Sequence, residues 1–257
     1  MGLIKTPLIV AIAGKGGTGK TIITTLIAKV VSNNYNYKLL LIDADPTHPH
    51  LSRMVKLIPE VSLEKIRANL IDDTITKKEE IQSLAEQIDF KVYNIIKESK
   101  DYSLFSIGQP EGPGCFCPSN TLLRKVIESI SKDFEIVLID CEAGLEQINR
   151  MVINSVDILL IITDLSLRSV ETAKSINESA KKFTNYKRMG VIVNRVKGDI
   201  ETIIKKLKEY ELPVIAQIPE DNLLSKYDLE GKPIIDIPES SLSYQKIKQN
   251  IEGILTF

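Results

Sequence analysis

Gly14-Lys15-Gly16-Gly17-Thr18-Gly19-Lys20-Thr21 puts two lysines into one glycine-rich loop and ends it on a hydroxyl. The spacing G-x-x-x-x-G-K-[ST] suits phosphate binding, because glycines let backbone N–H groups close around phosphate oxygens. A helix beginning at the loop's end adds its positive pole. Lys20 would neutralise β- and γ-phosphate charge, and the Thr21 hydroxyl would ligate Mg²⁺. Gly14 through Thr21, with Ile22 just inside the helix, are therefore the expected contacts of ATP or ADP. Two further carboxylate sets sit at the ends of apolar runs. Leu39-Leu40-Leu41-Ile42 leads into Asp43-Ala44-Asp45-Pro46, and Ile136-Val137-Leu138-Ile139 leads into Asp140. Residues two apart at a strand end share a side. Asp43 is expected to serve Mg²⁺ through water and Asp45 to orient the attacking water, although the reverse split fits the same spacing. Phosphoryl transfer depends on such positioning and charge stabilisation.

The glycines Gly14-x-Gly16-x-x-Gly19 also fit a dinucleotide fingerprint, with Asp43 about twenty residues on as a ribose ligand. A dinucleotide has no use for Lys20-Thr21, and it does not require the second acidic strand end at Asp140. The triphosphate reading is preferred. Gly144, four residues past Asp140, could offer its N–H to a γ-phosphate. Asn194, at the end of Val191-Ile192-Val193, could pair with the adenine edge. Pro219 and Asp221 could line the base from the other side; ordinary strand-end turns would explain the same residues.

These groups need a scaffold that gathers strand ends. Buried-strand runs at 8–13, 38–43, 102–107, 136–140, 157–162, 188–193 and 214–218 alternate with helical patterns. Val, Ile and Leu dominate them, as in a parallel sheet covered on both faces. The expected fold is α/β: a doubly wound, mostly parallel sheet of about seven strands flanked by helices, in a single domain over 1–257. Ligands then bind at the strands' C-terminal ends. Residues 48–100 depart from this rhythm. They are rich in Lys and Glu, with helical patches near 50–57, 61–70 and 78–98, and read as a solvated helical excursion or a docking surface.

The 257 residues, 43% hydrophobic, suffice for a large core. A net charge of −1 and only 5% aromatic residues give no basic field and few stacking platforms, so no nucleic-acid partner is expected. No run approaches the ~20 apolar residues of a membrane span. Met1-Gly2-Leu3-Ile4-Lys5-Thr6 matches a myristoylation pattern, but the first core strand follows almost at once. The tail Leu242 to Phe257 carries an apolar stripe with only Lys246 and Lys248 as cations, which suits a packed helix better than a membrane anchor. Three cysteines make no disulfide framework, and a reducing cytoplasm is expected.

The loop with its extra lysine, Asp43-Ala44-Asp45-Pro46 and the Asp140 strand together resemble the deviant-Walker ATPases. That group includes the nitrogenase iron protein, MinD, ParA and metal-centre assembly ATPases. The resemblance implies a homodimer in which Lys15 reaches the partner's nucleotide phosphates. A cation supplied in trans stabilises transition-state charge only when two subunits close. Lys15, Lys20 and Asp45 are thereby the expected catalytic residues.

Gly112-Pro113-Gly114-Cys115-Phe116-Cys117-Pro118-Ser119, within the 108–119 loop, adds a Cys-x-Cys pair before a helical pattern from Thr121 to Ile130. Thiols near a helix N-terminus have lowered pKa values. Two thiolates are too few for a closed site, but a twofold axis would supply four, a set that suits Zn²⁺ or Ni²⁺. A redox disulfide or two packed thiols are the other readings of the pair. With Leu122-Leu123-Arg124 and Asp140-Cys141-Glu142-Ala143-Gly144, the loop is similar to the CooC-type nickel-insertion ATPases that serve carbon monoxide dehydrogenase. That resemblance implies Cys115 and Cys117 as metal ligands and an apo nickel enzyme as partner. His48-x-His50 could be an auxiliary nickel site, though a solvated switch loop explains it more simply. Cys141 reads as a core thiol. Rival functions are an iron–sulfur electron-transfer ATPase using Cys115 or Cys117 with Cys141, and a MinD/ParA-like positioning ATPase.

Overall fold

The apolar runs form strands whose alternate side chains feed two separate cores. The computed structural model describes residues 6–45, 50–61, 95–108, 126–141 and 155–256. Within them β1 (Leu8–Gly14), β2 (Leu39–Ala44), β3 (Lys97–Glu98), β4 (Ser103–Ser106), β5 (Ile136–Cys141), β6 (Ser155–Thr163), β7 (Asn185–Val196) and β8 (Val214–Pro219) make one sheet. Its order is β3-β4-β2-β5-β1-β6-β7-β8, parallel throughout except at β3–β4. The phosphate loop leaves β1, which lies between β5 and β6 near the middle of the sheet.

The described residues hold eight strands, in keeping with the expected seven or so, and β3 corrects the end of the helical patch expected over 78–98. β3 pairs Lys97 with Leu104 and Glu98 with Ser103. The turn that returns it to β4 is closed by Ser99, whose Oγ accepts the N–H groups of Asp101 and Tyr102. Two residues are too short to display a period of two, so no alternation marks this edge strand. α2 (Leu51–Met54) falls in the expected 50–57 patch. The rest of the excursion, residues 62–94, lies outside the described residues.

One face carries α1 (Lys20–Asn34), α2, α5 (Asn222–Leu229), a 3₁₀ turn (Ile234–Asp236) and α6 (Leu242–Thr256). The other carries helical residues 126–131, α3 (Leu167–Phe183) and α4 (Glu201–Glu209). In β1, Val10 and Ile12 join the α1 side while Ala11 and Ala13 join the α3 side. β2 divides in the same way, with Leu39 and Leu41 on the α1 side and Leu40, Ile42 and Ala44 on the other. This parity decides which strand-end groups can meet the nucleotide loop.

α1 is apolar around most of its circumference because it packs on both the sheet and α6. Ile22, Ile23, Leu26, Ile27, Val30 and Val31 are all buried, as its pattern predicts. Each such side chain contributes about 1.5–3 kcal/mol relative to exposure. α6 buries Tyr244, Ile247, Ile251 and Ile254 in the same core. Among the described residues, no helix is long and apolar enough to cross a membrane.

Candidate functional site

The phosphate loop is shaped by backbone angles that side chains resist. Gly14 has φ 152°, and a Cβ there would lie 2.3 Å from the carbonyl oxygen of Ile162, its neighbour on β6. Gly19, the residue before α1, has φ 92° in the left-handed region, and a Cβ there would meet Asn194 Nδ2 at 2.5 Å. Between them Thr18 is fully buried. Its N–H (3.3 Å) and hydroxyl (2.8 Å) both donate to the Lys15 carbonyl, which closes the loop on itself. Lys20 Nζ donates to the same oxygen at 3.4 Å. No side chain caps α1, so its first-turn N–H groups stay available to an anion.

Asp43 and Asp140 meet under this loop because strand parity points both toward α1. They are register partners on β2 and β5, and their neighbours Leu41 and Leu138 lie in the α1-side core. Asp140 accepts from the Thr24 hydroxyl of α1 at 3.2 Å, and the Thr21 hydroxyl is close enough to lower its pKa. Burial raises its pKa above the usual carboxylate range, opposed by those donors and by the Lys20 charge. Asp43 is raised as well, first by burial and then by the Asp140 charge. Its Oδ1 accepts the Asp45 N–H at 3.3 Å, while its buried Oδ2 has no hydrogen-bond partner among the described residues. Two facing buried carboxylates with an orphaned oxygen, next to the Thr21 hydroxyl, are a donor set that fits Mg²⁺. Such an ion would compensate both charges and neutralise phosphate oxygens; Asp43, Asp140 and Thr21 would hold it directly or through water. Asp45 follows β2 at the same rim, half-buried.

Lys15 lies beside the end of β6, where Gly14 is in register with Ile162. Asp164 just beyond is pushed up by burial, yet its pKa ends below the ordinary range. Donation from Ser166 and Ser169, together with the nearby Lys15 charge, outweighs the burial. Asp164 Oδ1 accepts from Ser166 N–H (2.8 Å) and from the Ser166 and Ser169 hydroxyls (both 2.6 Å).

The residues expected around the base have other partners. Asn194 is buried and its Nδ2 donates to Thr18 O at 2.8 Å, so its amide supports the loop from below. Asp221 is committed on both oxygens and presents no open edge. Oδ1 accepts Leu223 N–H (2.9 Å) and Leu224 N–H (3.3 Å), capping α5. Oδ2 accepts the Ser241 hydroxyl (2.6 Å) and Ser243 N–H (2.9 Å) at the start of α6. The D-N sequence after a strand marks a helix cap as readily as a ligand, and here the cap prevails. Pro219 is partly exposed and ends β8 opposite Val196. Thr24 and Arg195 also belong to the site, although neither was expected from the sequence. The one available signal for Thr24 was a polar pair, Thr24-Thr25, inside an apolar helix.

Cys141 follows Asp140 directly but turns to the opposite core with Val137 and Ile139. It is 3% exposed, and burial, then the Asp140 charge, raises its thiol pKa. Cys115, Cys117, Gly144 and His48 lie outside the described residues, and His50 directly precedes α2. Among the described residues no cluster of three or more His, Cys, Asp or Glu is placed to hold a metal.

Comparison with known proteins places this geometry. An uncharacterized ATP-binding protein of Methanocaldococcus jannaschii is 36% identical over 253 residues, 96% of this chain and 98% of its own. The carbon monoxide dehydrogenase accessory protein CooC of Rhodospirillum rubrum is 27% identical over 246 residues, 89% of each chain. The solved structure of the septum site-determining protein MinD of Pyrococcus horikoshii, complexed with Mg-ADP, shares the fold. Its TM-score is 0.72 at 21% identity, covering 97% of this chain and 96% of that one. The CobQ/CobB/MinD/ParA nucleotide binding domain matches residues 9–234, from β1 to the 3₁₀ turn. That span takes in every nucleotide-site residue placed above, and the chain belongs to this family of nucleotide-binding ATPases.

Proposed function

We propose that this ATPase is a homodimeric metallochaperone that holds nickel between its subunits and inserts it into an apo metalloenzyme such as carbon monoxide dehydrogenase. The observation that carries the reading is Cys115-Phe116-Cys117 in a Gly/Pro loop, in a chain that is 27% identical to CooC along most of its length. Nickel is the cargo, held by four thiolates when two loops meet, with Zn²⁺ as a competing guest. Lys15 acts across the interface on the partner's phosphates, and Asp45 orients the attacking water. Gly144 reports loss of the γ-phosphate. Binding of ATP favours the closed dimer and hydrolysis opens it, a coupling on the order of 1–3 kcal/mol. The cytoplasm, where thiols stay reduced, is the compartment this chemistry needs.

Relatives such as the septum site-determining protein MinD of Bacillus subtilis, 22% identical over 253 residues, support a second reading as a positioning ATPase. Against it, α6 buries Tyr244, Ile247, Ile251 and Ile254 of its apolar stripe in the core. An iron–sulfur reading through Cys141 is weakened by the burial of that thiol in the core opposite α1.

The test is transfer. Protein loaded anaerobically with Ni²⁺ is mixed with apo carbon monoxide dehydrogenase, and enzyme activation is followed. Activation should require MgATP, stall with a non-hydrolysable analogue, and vanish with Cys115→Ser/Cys117→Ser. Activation that ignores both ATP and the cysteines would reject the proposal. ATP-dependent recruitment to anionic vesicles would move the assignment to the positioning class.

A further inference from the structure

Two consecutive side chains of β7 hold two consecutive carbonyls of the phosphate loop, which a regular strand forbids. Neighbouring residues on a strand point to opposite faces. Yet Asn194 Nδ2 donates to Thr18 O at 2.8 Å and Arg195 Nη1 donates to Gly17 O at 3.1 Å. The strand is deformed where this happens. β7 pairs with β8 through Val193↔Gln217 and next through Val196↔Pro219, so β7 carries one residue more across that interval. Such a bulge re-aims side chains. Within it Arg195 takes φ 55°, a left-handed conformation that glycine accepts freely and a long side chain does not. The chain therefore keeps an arginine where backbone strain alone would favour glycine.

Each grip fixes one peptide plane. In a trans peptide the N–H opposes the C=O. Holding Gly17 O on the Arg195 side turns Thr18 N–H back toward Lys15 O, the contact that closes the loop at 3.3 Å. Holding Thr18 O turns Gly19 N–H away from Asn194. The missing Cβ of Gly19 leaves room for the Asn194 amide to reach in.

We infer that Arg195 is a positioning residue: its guanidinium keeps the phosphate loop in its anion-binding shape before the nucleotide arrives. A loop ordered in advance loses less freedom on binding, and the gain appears as affinity. The inference rests on nucleotide binding by this loop, so Lys20→Ala, which removes the phosphate cation, serves as the reference for lost binding.

Arg195→Gly deletes the guanidinium and relieves the strained φ together, and stability and affinity read the two changes separately. Thermal stability without nucleotide should stay level or rise. The dissociation constant for Mg·ADP should increase on the order of tenfold, the scale of one lost charge-assisted hydrogen bond. Arg195→Lys keeps a cationic donor and should recover part of that loss; it also decides the matter if the glycine variant fails to fold. Wild-type affinity in Arg195→Gly, or in its absence full loss in Arg195→Lys, would overturn the inference. So would an affinity loss in Arg195→Gly accompanied by a drop in nucleotide-free stability, since that marks a general structural role. Wild type that binds Mg·ADP no better than Lys20→Ala would overturn the nucleotide reading itself.

Discussion

Asp43 and Asp140 are buried facing each other, and the fold by itself gains little from their charge. Burial raises both, and among the described residues one oxygen of Asp43 has no hydrogen-bond partner. Retaining such a group makes physical sense where a cation arrives with the nucleotide. Asp43→Asn should therefore leave nucleotide-free thermal stability equal to wild type or higher. Mg²⁺-dependent ATP hydrolysis should fall by at least the order of 100-fold that lost electrostatic stabilisation costs. Calorimetry and a phosphate-release assay check the two halves; a destabilised variant with intact turnover would refute this role. At this scale the sequence was informative where chemistry dictates spacing. Lys20, Thr21 and the two strand-end aspartates stood out because phosphate and metal binding demand those types at those offsets, and Lys15 only through a family resemblance. Thr24 and Arg195 were not, because each acts through a contact that only the packed helix or the bulged strand creates.

Asp221 shows how elements can borrow a residue that looks like a ligand. One carboxylate caps α5 and ties down the start of α6 with four hydrogen bonds. Burial pushes its pKa up, but the Ser241 hydroxyl and the Ser243, Leu224 and Leu223 N–H groups bring it below the ordinary range. A carboxylate whose folded pKa is depressed adds stability that is fully present above its unfolded value, about 4, and is lost as pH falls through the folded one. Asp221→Ala should lower stability by about 1–3 kcal/mol at neutral pH. It should also flatten the acid limb of the stability profile below about pH 4. Chemical denaturation at several pH values reads both effects, and an unchanged acid limb would show that the clamp carries no such linkage. The strands themselves were legible from their apolar runs, and α1 from its buried stripe. β3 was missed because two residues hold no period, and the cap was missed because cap and ligand share the same residue types.

The whole molecule is a sheet whose central loop meets its charge partners from β2, β5, β6 and β7 at one rim. That doubly wound plan follows from alternating strand and helix patterns, and it was legible before any geometry. Pairing of two chains is the step the proposed function adds. If Lys15 works in trans, turnover per chain should rise with protein concentration as dimers form. Lys15→Ala should stay slow at every concentration while folding normally. Concentration-independent turnover, or wild-type rates in the variant, would confine catalysis to the single chain.

In the proposed function one nickel ion is shared by two chains through Cys115 and Cys117. Native mass spectrometry of the anaerobic, thiol-reduced protein with Ni²⁺ and a non-hydrolysable ATP analogue tests it most directly. The expected result is a dimer carrying one nickel, with the metal lost in Cys115→Ser/Cys117→Ser while nucleotide remains bound. A dimer without nickel, nickel that survives the double substitution, or bound iron and sulfide in its place would contradict it.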